Sequence, residues 1–330
     1  MVQPSRRQFL SALSAGGGTL IAGCTASPDE ANDTPTATAE DDRLTESTQS
    51  APEFPGDTTS DACPPFDTAA QVVCYQAVDS ETMPLVLAPE TQTIQPGQPT
   101  AFTLRNQSEQ QFQTNYYHWQ LYKRVDGDWY FILPQEYPEP LALLEAGDEH
   151  SWTLTVRTGR VSDGASIDNV MEPEALTIAG LGGGDYAFGT DGWFESGSYE
   201  DPIALATGFE LNAEPLQLTP TTAIAETELD GNTLVARSTR GEANDADKRD
   251  TYILERIDGA ETAAQQVIIE QVVRNNQLRD AIALIQEYDV TRVRLTEFSN
   301  SIPPFGVNEP QSYEFRGDYY RVTTTKGGSS

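Results

Sequence analysis

Lysine, histidine and cysteine are scarce in this chain: its 330 residues include two histidines and three cysteines. The only lysines are Lys123, Lys248 and Lys326. Acidic residues outnumber basic ones by 51 to 20, for a net charge of -31. No basic patch is available to meet phosphates, which excludes nucleic acid as a partner. A blue-copper site needs two histidines, a cysteine and a methionine in close array. Neither His118 nor His150 lies near Cys63 or Cys74 in sequence, so both histidines are expected to be structural or surface residues. Gly-x-Ser-x-Gly, His-Glu-x-x-His and P-loop motifs are missing too. Gly182-Gly183-Gly184 lacks the lysine that follows in a P-loop and reads as a turn. No catalytic residue, cofactor or metal is therefore assigned, and the chain reads as a non-enzyme. With so many carboxylates, no acid pair can be singled out by eye. Asp191, Glu195, Glu200 and Asp201 could hold calcium, but an acid-rich surface gives the same look.

Long hydrophobic runs are missing as well. The most apolar stretch, Phe9 to Ala22, is short and broken by Gly16, Gly17 and Gly18. It cannot span a bilayer and reads as the apolar part of a signal. Ser5-Arg6-Arg7-Gln8-Phe9-Leu10 before it resembles the twin-arginine export signal. Ile21-Ala22-Gly23-Cys24 after it resembles a lipobox, with small residues before the cut and a thiol to carry lipid. Arg6 and Arg7 are thus the export residues and Cys24 the lipidation residue. This resemblance implies export in the folded state and a lipid anchor at the outer face of the cytoplasmic membrane, exposed at the cell surface. Membrane lipid is then one partner, reached through Cys24. An acidic chain poor in lysine resembles proteins of halophilic archaea. In molar salt the Debye length is about 3 Å, so self-repulsion is screened.

With residues 1–23 read as signal, residues 24–65 read as an acidic tether rich in Thr, Ser and Pro. Apart from alanines its apolar side chains are Leu44 and Phe54, too few to offset ordering entropy, so disorder is expected. Cys63 and Cys74 follow, eleven apart and outside the membrane. A disulfide between them would add roughly 2–3 kcal/mol. Metal ligation is the alternative, but no neighbouring histidine or third cysteine supports it. Asn32 and Asn106 open glycosylation sequons, a pattern that also arises by chance.

Residues 66–218 show short alternating runs between turn signals, the mark of a β-sandwich. Ala101 to Asn106, His118 to Lys123 and Trp152 to Val156 alternate, and Ala175 to Ile178 is a candidate extra strand. Asp126-Gly127 marks a hairpin, because both central positions want positive φ. Three phrases carry a resemblance to bacterial-type immunoglobulin-like domains. They are Ile94-x-Pro-Gly before Phe102-x-Leu-x-Asn106, Trp119-x-Leu-Tyr before Asp-Gly-x-Trp129, and Leu181-x-x-Gly184-x-Tyr186-x-Phe188. The resemblance implies Trp119 in the core on the third strand. It also implies a tyrosine corner at Tyr186, with the hydroxyl returning to upstream backbone. The antibody disulfide is absent, and Phe188 stands where its second cysteine would be. The departure from the family pattern is the insertion at 157–180, a loop of the kind that often carries binding. The dense aromatics Tyr116, Tyr117, Trp119, Tyr122, Trp129, Tyr130 and Phe131 read as core and cross-strand pairs, or as a carbohydrate- or protein-binding face.

Residues 219–330 change character. Strands are expected at 233–237, 251–256 and 290–295, helices over 261–275 and 278–288, and a terminal hairpin over 312–322. The order β-β-α-α-β-β is that of a small α+β domain. Its closing phrase, Tyr313 to Val322, resembles the end of small domains of unknown function in haloarchaeal surface proteins. The fold class is therefore mostly β: an immunoglobulin-like β-sandwich followed by a small α+β domain. The expected function is a membrane-anchored extracellular lipoprotein, a non-enzymatic binding or envelope-assembly module for a surface protein or glycan. The alternatives are a transporter's solute-binding lipoprotein and a hydrolase with a dispersed carboxylate site.

Overall fold

In the computed structural model, residues 50–66, 68–157, 174–241, 249–259, 264–298 and 301–327, and the backbone of 167–168, are described. Arg6, Arg7, Cys24 and Asn32, with the tether up to residue 49, lie outside them. The fold is mostly β, and its first module is an immunoglobulin-like β-sandwich. One sheet is built around Gly184–Phe194. Ile203–Leu211 lies antiparallel on one side of it, and Phe112–Thr114 and Gln120–Val125 on the other. Gln120–Val125 continues into Asp128–Leu133 through Asp126-Gly127, whose φ values of 53° and 96° are both left-handed as this hairpin requires. Thr93–Ile94 and Gln71–Cys74 each add parallel to Ile203–Leu211. The facing sheet holds Leu85–Pro89, Pro99–Asn106, Glu149–Val156 and Ala175–Ile178. Ala175–Ile178, inside the family-breaking insertion, pairs parallel with Glu149–Val156 and extends that sheet.

Alternation sets the core between the sheets: Phe102 and Leu104, then Trp152, Leu154 and Val156, point inward from neighbouring strands. The Phe102 and Phe188 rings stack at 4.5 Å, and Trp119 and Trp152 lie 6.0 and 5.7 Å from Phe188. Phe102 and Phe188 occupy strands of the two facing sheets. An aromatic cluster thus ties the sheets here, each fully buried ring contributing about 1.5–3 kcal/mol of transfer free energy. Trp119 is buried one residue before Gln120–Val125 begins.

The second module is a seven-stranded sheet covered by α2 (Asn276–Tyr288), preceded by the single turn α1 (Ile269–Val272). Its strand order is Ile224–Asp230, Thr233–Ser238, Arg292–Glu297, Asp250–Ile257, Asp318–Thr325, Gln311–Phe315 and Gln265–Gln266. Ile282 and Ile285 of α2 pack on Leu234, Leu254, Val293 and Val322 of the sheet. Asn275 caps α2, its side chain accepting from the Leu278 N–H. The α+β class holds, with an added first strand, Ile224–Asp230, that the sequence pattern hides because its side chains are nearly all exposed.

Two expectations need correction. Of the helix expected over 261–275, residues 261–263 lie outside the described residues, and the rest holds only the one turn Ile269–Val272, preceded by the short strand Gln265–Gln266. Its apolar residues do not serve one helical face. Val267 and Val272 enter the core of the second module, whereas Ile268 enters the core of the sandwich. Helical spacing here records a segment shared between two cores. The tether also ends earlier than residue 65. Phe54 packs 6.4 Å from Phe194, Thr58 is buried and donates to the Val72 carbonyl, and Ser50 O accepts from Gln110. Cys63 and Cys74 form a disulfide that fixes this segment beside Gln71–Cys74. One aromatic anchor and one covalent link are enough to order the segment that composition alone marks as tether. Residues 48–330 form one compact unit, with both modules inside it.

Candidate functional site

The seam between the modules is made by the eleven-residue stretch 265–275. Glu270, at the start of α1, projects into the sandwich and is almost wholly buried. Its Oε1 lies 2.5 Å from Lys123 Nζ and accepts from the Gly182 N–H at 3.2 Å and from the Tyr186 hydroxyl at 3.3 Å. Lys123 Nζ also donates to the Gly183 carbonyl at 3.1 Å. The Tyr186 hydroxyl donates to the Gly182 carbonyl at 2.6 Å, which is the tyrosine corner. Burial first, then Glu270, push the Tyr186 phenol well above its ordinary pKa. The glycine run is the socket of this knot. A Cβ on Gly183 would lie 2.0 Å from the Ala213 carbonyl, so only glycine lets these backbones meet.

Two further side chains of the stretch reach the sandwich. Gln271 donates to the Phe131 carbonyl at 3.0 Å, and its own carbonyl accepts from the Ile268 N–H. Arg274 donates from both terminal nitrogens to the carbonyls of Gly180, Ala179 and Glu270. Burial brings the Arg274 pKa down to about 10.

Beside the knot, the seam opens into a cleft of about 500 Å³, within the range of ligand sites. Gln135, Gln265, Gln271, Asn275, Asn276 and Gln277 line it, with Tyr313, Arg274 and the apolar Ile132, Val267 and Leu278. Its wall contains no carboxylate, although 51 are present in the chain. Among the described residues, Arg274 Nε and Asn276 Oδ1 are buried atoms without a hydrogen-bond partner. Both atoms are shut off from solvent, so they belong to the packing behind the wall, where an unpaired polar atom costs about 1–3 kcal/mol. Sequence reasoning missed this cleft. The signal was the cluster Gln265, Gln266, Gln271, Asn275, Asn276 and Gln277, whose register on the seam no periodicity reveals.

The residues singled out from sequence are dispersed. His118 Nδ1 lies 2.9 Å from Asp191 Oδ1, its ring stacks on Tyr137 at 4.4 Å, and its Nε2 faces the Gln120 amide. His150 stacks on Tyr116 at 3.6 Å and meets Trp152 edge-on. Glu195, Glu200 and Asp201 are exposed, and among the described residues no group of three or more His, Cys, Asp or Glu is close enough to hold a metal. The aromatic run divides: Trp119 is in the core, whereas Tyr116, Trp129, Tyr130 and Phe131 are half-buried.

Asn106 is corrected as a glycosylation site. It is almost wholly buried, and Nδ2 donates to the carbonyls of Gln110, Leu144 and Glu145 at 2.7, 3.0 and 3.1 Å. Its Oδ1 accepts from Ser108, the sequon serine itself. The amide a glycan would need is consumed in holding two loops. Mass spectrometry of the protein purified from its native cells should find Asn106 unmodified. Asn106→Ala should cost about 1–3 kcal/mol in chemical denaturation, because three carbonyls lose their donor.

Burial lowers the His150 pKa from 6.5 to about 4. The unfolded chain takes up this proton below pH 6.5 and the folded chain only near pH 4. Stability therefore falls as pH drops through that window and is unaffected by this group above it. After allowance for the ring's exposed edge, the loss is about 1–2 kcal/mol. His150→Phe should flatten this part of a stability-against-pH curve; an unchanged slope would assign it to other groups.

No family model matches the chain, and no curated protein matches it. Among solved structures, one resembling part of it is the CsuC–CsuE chaperone–tip adhesion subunit pre-assembly complex from archaic chaperone-usher Csu pili of Acinetobacter baumannii. The identity is 14%, over 52% of this chain and 74% of that one, with a TM-score of 0.24. Among the described residues, no helix is long and apolar enough to cross a membrane.

Proposed function

We propose that this protein is a lipid-anchored, non-enzymatic binding module at the outer face of the cytoplasmic membrane. The observation that carries the binding role is the seam cleft. Its wall is mainly amides, which recognise by hydrogen bonds and do not titrate near neutral pH, and this favours binding over turnover. The buried Lys123–Glu270 pair holds the two modules in one orientation, so the cleft is preformed. A transporter's solute-binding protein closes on its ligand by hinge motion, and a locked seam speaks against that reading. Anchoring rests on Arg6, Arg7 and Cys24 and on the acidic stretch after them.

Cell fractionation tests the anchor. The wild-type chain is expected with membranes and accessible to external protease, and Cys24→Ser in the medium. A wild-type chain recovered in the cytosol would remove the anchoring claim. The released Cys24→Ser chain is then expected to sediment saturably with washed cell envelopes. Absence of saturable binding would remove the binding-module reading.

A further inference from the structure

We infer that the seam cleft takes a neutral saccharide, so that the surface partner is a glycan rather than a protein or a charged solute. This rests on the binding-module reading and names the ligand class for it. Six amides line the cleft, and an amide offers a donor and an acceptor side by side. A sugar hydroxyl is both donor and acceptor, so it can pair with whichever of these groups the protein leaves unused. The apolar members Ile132, Val267 and Leu278 and the ring of Tyr313 supply surface for the C–H face of a sugar.

Charge does not select the ligand. Arg274 is the one cation on the wall, and its terminal nitrogens are committed to the Gly180, Ala179 and Glu270 carbonyls. No carboxylate faces the cleft to attract a cation. Several wall amides keep unused capacity. Asn275 spends only its oxygen on the cap of α2, and Gln277 spends only its nitrogen, on Glu297. Gln265 is exposed at the end of the seven-stranded sheet, beside Tyr313. Recognition by neutral groups is also insensitive to salt, unlike recognition by exposed charges.

Calorimetric titration of the full-length chain tests this. The probes are maltotriose and tri-N-acetylchitotriose as neutral sugars, a sulfated oligosaccharide, and tetra-alanine. At least one neutral sugar is expected to bind, with affinity changing less than about twofold between low and molar salt. Asn276→Ala and Gln265→Ala together should weaken it at least about tenfold, or 1.4 kcal/mol. If the double variant does not fold, hydrogen exchange on the wild-type chain should show sugar-dependent protection at residues 265–277. Binding of the sulfated sugar or the peptide alone, no binding of any neutral sugar, or binding indifferent to the double variant with no protection at 265–277 would overturn the inference. Saturable envelope binding together with no neutral-sugar binding would leave the binding-module reading standing and remove only the ligand class.

Discussion

Replacing Glu270 by alanine is expected to destabilise the protein by about 3–5 kcal/mol, since it strands a buried cation. Lys123 Nζ would keep the Gly182 and Gly183 carbonyls but lose the counter-charge 2.5 Å away. The Gly182 N–H would lose its acceptor and the Tyr186 hydroxyl one of its two. Urea denaturation checks this, and a double variant separates the charge from the packing. Lys123→Met with Glu270→Leu should cost much less than the two single changes added, because an apolar pair leaves no stranded charge. Additive costs would show that the ion pair is not what holds the seam. Loss of Glu270 should also loosen one module against the other, so neutral-sugar affinity should fall even under conditions where the variant is folded.

Asp280→Ala is expected to have a loss of similar size, about 3–5 kcal/mol, from a knot inside the second module. Asp280 is fully buried on α2. Its carboxylate accepts from the Thr221 N–H at 2.5 Å and the Thr221 hydroxyl at 2.9 Å, and Arg240 Nη2 is 2.7 Å away. Glu297 lies 2.9 Å from the same Arg240 nitrogen, so one cation joins the helix, the sheet and the segment that crosses them. The effect should persist in molar salt, because a buried pair is screened little. Glu226→Ala removes an exposed pair with Arg237, 3.2 Å apart, and should change stability by no more than about 1 kcal/mol at any salt. Equal, salt-sensitive effects at both positions would contradict the buried-knot account.

Much of the architecture was legible. Period-two alternation at Phe102, Leu104, Trp152 and Leu154 set which side chains face the sandwich core, because a strand must bury one face. Asp126-Gly127 set a hairpin, because few residue pairs accept two left-handed positions. The tyrosine corner at Tyr186 came from the family resemblance carried by Leu181, Gly184, Tyr186 and Phe188, and its partner, the Gly182 carbonyl, is only four residues away. The α2 face was only half legible. Leu278, Ile282 and Ile285 follow the helical period, but Leu278 to Ile285 are all buried, because residues 219–221 cover the other side.

The seam was not legible. Glu270 reads as one more carboxylate in an acidic chain, and Lys123 as the last residue of an alternating strand. Their pairing joins positions 147 residues apart, and no local period encodes a contact at that distance. Asn106 failed in the same way: a sequon is a local pattern, whereas burial is a property of the whole fold. By itself the sequence determined the strand pattern, the hairpin turns, the two-module order and the acidic surface. These follow from the φ/ψ preference, side-chain alternation and charge of neighbouring residues. Only the tertiary structure decided that residues 265–275 belong to both modules, that one glutamate locks them, and that a wall of amides faces the gap. Those features are set by which distant surfaces must be buried together, and burial is decided once the sheets have packed.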